Sequence, residues 1–464
     1  MADTATGPTP DHGGASSPGA PATGNESTGI GASDTGASDT GAADTASADA
    51  LVAAAIMTEE GRQDPYPLYE QMRNGPRRWR SSLGTFVLSA YDDCLEVLRH
   101  PKLGRTESDM PVNGSFSGTR RQRNDENSNV MLFLNPPDHT RIRGLVSRAF
   151  TPRRVESLRP RLFELLGEGI DRLAQAGGGD VMAEIARPFP VSVISELLGV
   201  PQVDSERIAP LVNDGTRLID AAADEEAIAK GELAATELAA YFVDLAARKR
   251  EQPDEGLFSA LIELRTEGDR LSEEELIANT TLMYAAGVDT TSNLIGNGLR
   301  LLLANPEQLE ILRSDRSLLP SAVWEMLRHD SPVQMNMRAV LEPVEILGME
   351  LSRGEMFLVL QGSGNHDEDA YEDSEAFDVT RFSGPDGSVP TPLSFGWGPH
   401  HCLGAHLARA EAEIVFGAML DAFETIELDT AALAAEGNDT GRPHFRESFT
   451  IRGLDALPVV VRAA

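Results

Sequence analysis

The strongest helix signal in the chain runs from Ser272 to about Asn305. Ser272 and Glu275 have the spacing of a capping box, and Asn305-Pro306 is a natural stop. At about 1.5 Å per residue such a helix spans roughly 50 Å, long enough to cross a whole domain. Its middle, Leu282–Val288, is apolar on every side and should be buried all round. A fold that contains this helix has to be built around it. Gly287, Asp289, Thr290 and Thr291 fall into the same buried stretch, which a purely structural core helix would not choose.

The rest of the pattern predicts a mainly α fold with small peripheral β-sheets. Residues 155–175 and 232–250 carry apolar side chains at three-to-four spacing with charges between them. Strand signals are local: Thr85–Leu88, a hairpin over Val344–Leu360 turning at Ser352-Arg353-Gly354, and Pro458–Val461. Residues 104–129 form a long polar stretch without periodicity, and loops of that length in a compact domain usually serve function. No linker divides the chain after Leu51, so residues 51–464 read as one domain. Residues 1–50 are small and polar, with a pentapeptide repeated at Gly31–Thr35 and Gly36–Thr40 and nearly again at Gly41–Thr45. Too few apolar side chains occur there to offset ordering entropy, which predicts a disordered low-complexity tail.

The formal net charge is −33, and removing the seven acids of the first fifty residues still leaves −26. That balance argues against nucleic acid or an anionic membrane as partner. No apolar run approaches a membrane span, and no secretory signal begins the chain. With two cysteines only, Cys94 and Cys402, a disulfide framework is excluded and a reducing cytoplasm is expected.

Cys402 sits in Phe395-Gly396-Trp397-Gly398-Pro399-His400-His401-Cys402-Leu403-Gly404, followed by a helical pattern from Ala405. A thiolate at a helix N-terminus is stabilised by backbone N–H groups and the macrodipole, and glycines let those groups approach the sulfur. The residues alone leave three other readings open: an inert thiol, a zinc site with His400, His401 and His406, or a nucleophile beside a histidine.

The segment resembles the haem-binding loop of the cytochrome P-450 family, Phe-Gly-x-Gly-x-His-x-Cys-x-Gly, with all six fixed positions met. Further stretches resemble the family in its own order. They are Pro136–Arg143, Ala286–Thr291, Glu325-Met326-Leu327-Arg328 (Glu-x-x-Arg) and Met337-Arg338-Ala339. The resemblance covers about residues 60–464. It implies a single-domain fold of that family around the long helix and haem b held through iron by Cys402. Phe395, Gly396 and Gly404 would shape the loop, and His139, Arg143, Arg338 and His400 would bind the propionates. It further implies Ala286 and Gly287 beside bound oxygen, Asp289 and Thr290 as proton relay and hydrogen-bond donor, and Met131, Met283, Ala286, Met335 and Met337 against a bulky apolar substrate.

Two departures stand out. Ala376 precedes Phe377 where the family commonly has an arginine that locks the Glu–Arg pair, and Asn365-His366-Asp367 replaces an Asn-Arg-Asp turn. The implied activity is that of a monomeric, soluble monooxygenase. No flavin or nicotinamide domain is present, so a ferredoxin and its reductase would supply electrons. Ten arginines lie between residues 120 and 161, and they are candidates for attracting an acidic ferredoxin. A peroxide-using enzyme of the same fold and a non-catalytic haem-thiolate sensor are the alternatives, and retention of Asp289-Thr290 counts against both.

Overall fold

The computed structural model describes residues 39–107, 109–110, 129–219, 224–264, 270–384, 387–435 and 441–464. Glu273–Ala304 is a single helix of 32 residues, started by the expected capping box and stopped at Asn305. The Ser272 N–H donates to Glu275 Oε2 at 2.8 Å and the Glu275 N–H to Ser272 Oγ at 3.1 Å. Around this helix pack Pro188–Leu198, Gln202–Thr216 and Glu225–Glu251 on one side, and Leu319–His329 and Ala405–Ala422 on the other. The second pair comes close because of Gly298: a Cβ there would lie 2.7 Å from both Met326 Sδ and Phe416 Cζ.

Two further helices border the cysteine loop, Asp138–Ala149 and Pro152–Ala176. The sheets are small and peripheral, as expected. A five-stranded sheet runs in the order Arg78–Arg80, Phe86–Leu88, Met356–Val359, Asn336–Val340, Leu103–Gly104. A three-stranded one joins Gly178–Asp180, Pro458–Ala463 and Phe423–Leu428.

The expected hairpin is corrected. Val344–Ile346 pairs with Met349–Leu351 and turns at Leu347-Gly348, both at positive φ (53° and 71°), as a tight two-residue hairpin turn requires. The chain then passes Ser352-Arg353-Gly354 and enters the five-stranded sheet as Met356–Val359.

At the N-terminal end, Asp39–Met57 is helical, so residue 50 falls inside an element rather than at a boundary. Alanine has the highest helix propensity, and its small side chain allows close packing. Ala48 and Ala55 are buried with Tyr69, Met72 and Trp79, and Asp49 accepts hydrogen bonds from Trp79 Nε1 (2.9 Å) and the Ser82 N–H (2.7 Å). The described residues from Ala42 onward form one compact unit. No described helix is long and apolar enough to cross a membrane.

Glu325 and Arg328 are fully buried and paired through two hydrogen bonds of 2.8 and 2.7 Å. The lock anticipated at position 376 is provided by Arg381, which precedes Phe382 rather than Phe377. Its Nε donates to Glu325 at 3.1–3.2 Å, and both Arg328 and Arg381 donate to the Ala376 carbonyl at 3.0 Å. Arg328 also holds the Asn365 carbonyl at 2.9 Å. Asn365 in turn donates to Ser394 Oγ (2.9 Å) and accepts from the Leu393 N–H (2.7 Å), which fixes the start of the cysteine loop. His366 fills its variant position by contacts to the His329 carbonyl (2.8 Å) and Glu375 (3.1 Å).

Candidate active site

The cysteine loop is shaped by two glycines. Gly396 has φ 63° and Gly398 φ 70°, and a Cβ on Gly398 would lie 2.8 Å from Arg99 Cα and the Leu98 carbonyl. The Cys402 N–H donates to the Phe395 carbonyl at 2.9 Å, closing the loop. Phe395 meets Trp324 edge-on at 5.7 Å. Cys402 is open to the cavity, and the protein packed around it pushes its thiol up, while the amides of Gly404 and Ala405 and the Arg143 guanidinium pull it down. That packing is the larger influence. A bound cation would make Cys402 a thiolate, because a coordinating thiol is deprotonated by the metal's charge.

Above the loop lies a cationic cluster. His139 and His400 stack with ring centroids 4.2 Å apart, and Arg143 donates to the His401 carbonyl at 2.5 Å. Arg338, 1% exposed, donates to Asn336 Oδ1 at 2.6 Å, and Arg105 donates to the same oxygen at 3.1 Å. Burial, then Arg143 and Arg105, lowers His139 to about 4. Burial, then Arg105, His139, Arg338 and Arg143, lowers His400 to about 2. His139 Nε2 and Arg338 Nη2 are buried without a partner among the described residues. Buried donors left open in a field of like charge ask for an anion. The sequence had pointed to four of these residues and missed Arg105, which stands in the polar stretch without a pattern.

A cavity of about 560 Å³ joins the loop, the cluster and the central helix. Phe395, Gly396, His400, Cys402 and Gly404 line it from the loop, and His139 and Arg143 from the cluster. From the central helix come Met283, Ala286, Gly287, Thr290 and Thr291, and Met131, Met335 and Met337 complete the expected lining. The middle of the helix is thus shielded from bulk solvent yet open on its cavity face. The missing side chain of Gly287 points to Ile194, where a Cβ would be 3.4 Å from Cδ1, so the room it leaves is toward that neighbouring helix. Thr290 donates its hydroxyl to the Ala286 carbonyl at 2.9 Å.

Asp289 is placed differently from the expectation. It is buried outside the cavity lining and paired with Arg446, whose Nη2 lies 2.9 Å from Oδ1 and 3.2 Å from Oδ2. The same Nη2 reaches Asn293 Oδ1 at 3.1 Å. Arg446 belongs to the C-terminal segment, and nothing in the helix pattern announces it.

Of the ten arginines, Arg120, Arg121 and Arg123 lie outside the described residues. Arg141 pairs with Glu275, Arg159 with Glu156 (2.6 Å) and Glu413 (3.0 Å), and Arg161 with Glu164 (2.8 Å) and Glu196 (3.4 Å). Arg148 and Arg153 are exposed and, with half-buried Arg154, have no carboxylate within ion-pair distance among the described residues. Arg153 and Arg154 stand on the helix whose Glu156 contacts His406 at 2.9 Å, and Arg148 on the helix whose Arg143 reaches the His401 carbonyl.

Comparison with known proteins agrees with this geometry. A family described as Cytochrome P-450 matches residues 230–433. Cytochrome P-450 107B1 of Saccharopolyspora erythraea is 38% identical over 405 residues, 86% of this chain and 95% of the relative. The vitamin D(3) 25-hydroxylase of Pseudonocardia autotrophica is 37% identical over 414 residues, 86% of this chain and 94% of that protein. The crystal structure of P450BioI, in complex with an acyl carrier protein ligated to hexadec-9Z-enoic acid, superposes with a TM-score of 0.77. It is 31% identical and covers 87% of this chain and 99% of that one. By this likeness over most of its length, the chain belongs to the cytochrome P-450 family of haem-dependent monooxygenases.

Proposed function

We propose that Cys402 would hold haem iron through its thiolate and that the enzyme hydroxylates or epoxidises a bulky apolar small molecule, using electrons from a ferredoxin and its reductase. The observation that carries this reading is the position of Cys402 and Thr290 on the lining of one cavity. The residues fit the group. Its carboxylates would meet the open donors of His139 and Arg338 and the guanidinium of Arg143, and the sulfur faces the same space. Haem held there activates dioxygen so that one atom enters the substrate and the other leaves as water, a reaction helped by thiolate ligation.

The chain's own residues do the rest. Phe395 and the Gly404 and Ala405 amides shelter the sulfur and tune its basicity. Thr290, on the cavity face, holds a hydroxyl that can turn from the Ala286 carbonyl into the cavity to donate a hydrogen bond there. Asp289, the residue next to Thr290, supplies protons after parting from Arg446. Met131, Met283, Met335 and Met337 give a soft apolar wall that adapts to a large substrate. The relative named for vitamin D(3) 25-hydroxylation supports that substrate class. Arg148, Arg153 and Arg154 form the docking face for the ferredoxin, and the enzyme works as a cytoplasmic monomer.

The test is spectroscopic. Reduced protein with carbon monoxide should show the red-shifted Soret band of thiolate ligation. Cys402→Ser should lose it and Cys94→Ala should keep it. Zinc in place of iron in the purified protein would overturn the reading.

A further inference from the structure

Five of the chain's thirteen methionines meet on the lining of the cavity that holds Cys402. They arrive from separate elements. Met283 comes from the central helix, Met337 and Met356 from neighbouring strands of the five-stranded sheet, Met131 from a turn, and Met335 from the position just before the strand Asn336–Val340. Met131, Met283, Met335 and Met356 keep 5–7% of their surface open, whereas Met72, Met182 and Met419 are 1% exposed and line no part of the cavity. No tyrosine or tryptophan among the described residues stands on that lining. The side chains there that oxidants attack most readily are therefore the five thioethers and Cys402. Leucine would fill about the same volume without offering a sulfur.

We propose that these methionines form an oxidant trap, a modification site at which hydrogen peroxide released inside the cavity is consumed before it reaches the sulfur of Cys402. Peroxide is the product when oxygen reduction fails to deliver an oxygen atom to substrate, and it is set free within this wall. In the trapping step the peroxide O–O bond breaks and one of its oxygens bonds to a thioether sulfur. The sulfur gives up two electrons, and the other oxygen leaves with both protons as water. The product, methionine sulfoxide, is polar where the thioether was apolar. Oxidation of the trap is therefore read as weaker binding of an apolar ligand as well as by mass. This assignment rests on haem being held by Cys402.

The experiment lets holoenzyme make its own peroxide. It is reduced by a ferredoxin and its reductase in air without substrate, and catalase in the solution destroys whatever escapes. Peptide mass mapping should find a gain of about 16 Da, one oxygen, on Met131, Met283, Met335, Met337 and Met356. Met57, 71% exposed, should stay unmodified, as should Met72, Met182 and Met419. Peroxide added from bulk solvent to cofactor-free protein should reverse the order and take Met57 first. After the first treatment 4-phenylimidazole, read by its shift of the Soret band, should bind about tenfold more weakly, the cost of a polar group in an apolar wall. Met283→Leu/Met335→Leu should lose the carbon monoxide thiolate band after less oxygen consumed than wild type. Should that variant hold haem poorly, the wild-type map decides, and Thr290→Ala, with its greater peroxide release, should raise the sulfoxide yield. Cavity methionines left unmodified while the thiolate band fades, or Met57 oxidised as far as they are, overturns the proposal. The carbon monoxide spectrum at the outset separates the two layers: a missing thiolate band in wild type overturns the ligand assignment, whereas a normal band with unmodified cavity methionines overturns the trap alone.

Discussion

His139 and His400 are held neutral by their surroundings, and the sign of that effect can be followed through. A histidine lowered from 6.5 to about 4 binds fewer protons folded than unfolded between those values, so its contribution is complete above 6.5 and is lost as pH falls toward 4. His400, lowered to about 2, and His329, lowered to about 3 by burial and then by His366 and Arg328, add to the same trend. Cofactor-free protein should therefore lose thermal stability steadily from about pH 6.5 downward. Haem should blunt the loss, because its carboxylates favour the protonated rings, and His139→Gln should flatten the difference between the two forms. A cofactor-free protein whose Tm is level across that window would contradict this account. Thr290→Ala belongs to the same scale. It should still bind haem and substrate while diverting reducing equivalents to peroxide, measured as peroxide formed per oxygen consumed.

Among the elements, the buried knot of Glu325, Arg328 and Arg381 is the most exposed to a single change. Glu325 is fully buried and takes four hydrogen bonds from the two guanidinium groups. Removing one partner of a buried ion pair costs about 3–5 kcal/mol, so Arg381→Ala should lower the Tm markedly and loosen haem retention. Retention of wild-type Tm would show that Arg328 alone is enough. The central helix and the cysteine loop were legible in the sequence because each is written in contiguous residues or a short spacing, whereas Met131, Met283, Met335 and Met337 came from the resemblance alone. What escaped was set by distant partners. Arg381 was overlooked because Phe377 offered a nearer match than Phe382. The hairpin was placed at Arg353-Gly354 because a glycine after a charged residue signals a turn as well there as at Leu347-Gly348. Arg446 has no local signature, since only the fold brings it to Asp289.

For the whole molecule, the N-terminal boundary has a practical reading. Deleting residues 1–38 should leave haem content and Tm unchanged, because the stretch lacks apolar side chains to pack. Deleting 1–50 removes Asp49, which accepts from Trp79 and Ser82, and should cost about 1–3 kcal/mol for the indole left unpaired. Equal Tm for both deletions would show that the helix contributes nothing. If the proposed docking face is right, reversing Arg148, Arg153 and Arg154 should slow reduction by ferredoxin through its association rate, and raised salt should mimic it. Indifference to both would leave these arginines as solvated surface.

The helix Asp138–Ala149 carries a consequence for communication between the two sides of the enzyme. Arg141 grips Glu275, the residue that caps the central helix, and Arg143 grips the carbonyl next to Cys402. Arg148 stands at the far end of the same twelve residues. A redox protein docking at that end, as proposed, would meet a helix that also contacts the cysteine loop and the start of the central helix. By thermodynamic reciprocity, whatever factor such docking applies to substrate affinity, bound substrate must apply to the affinity of the redox protein.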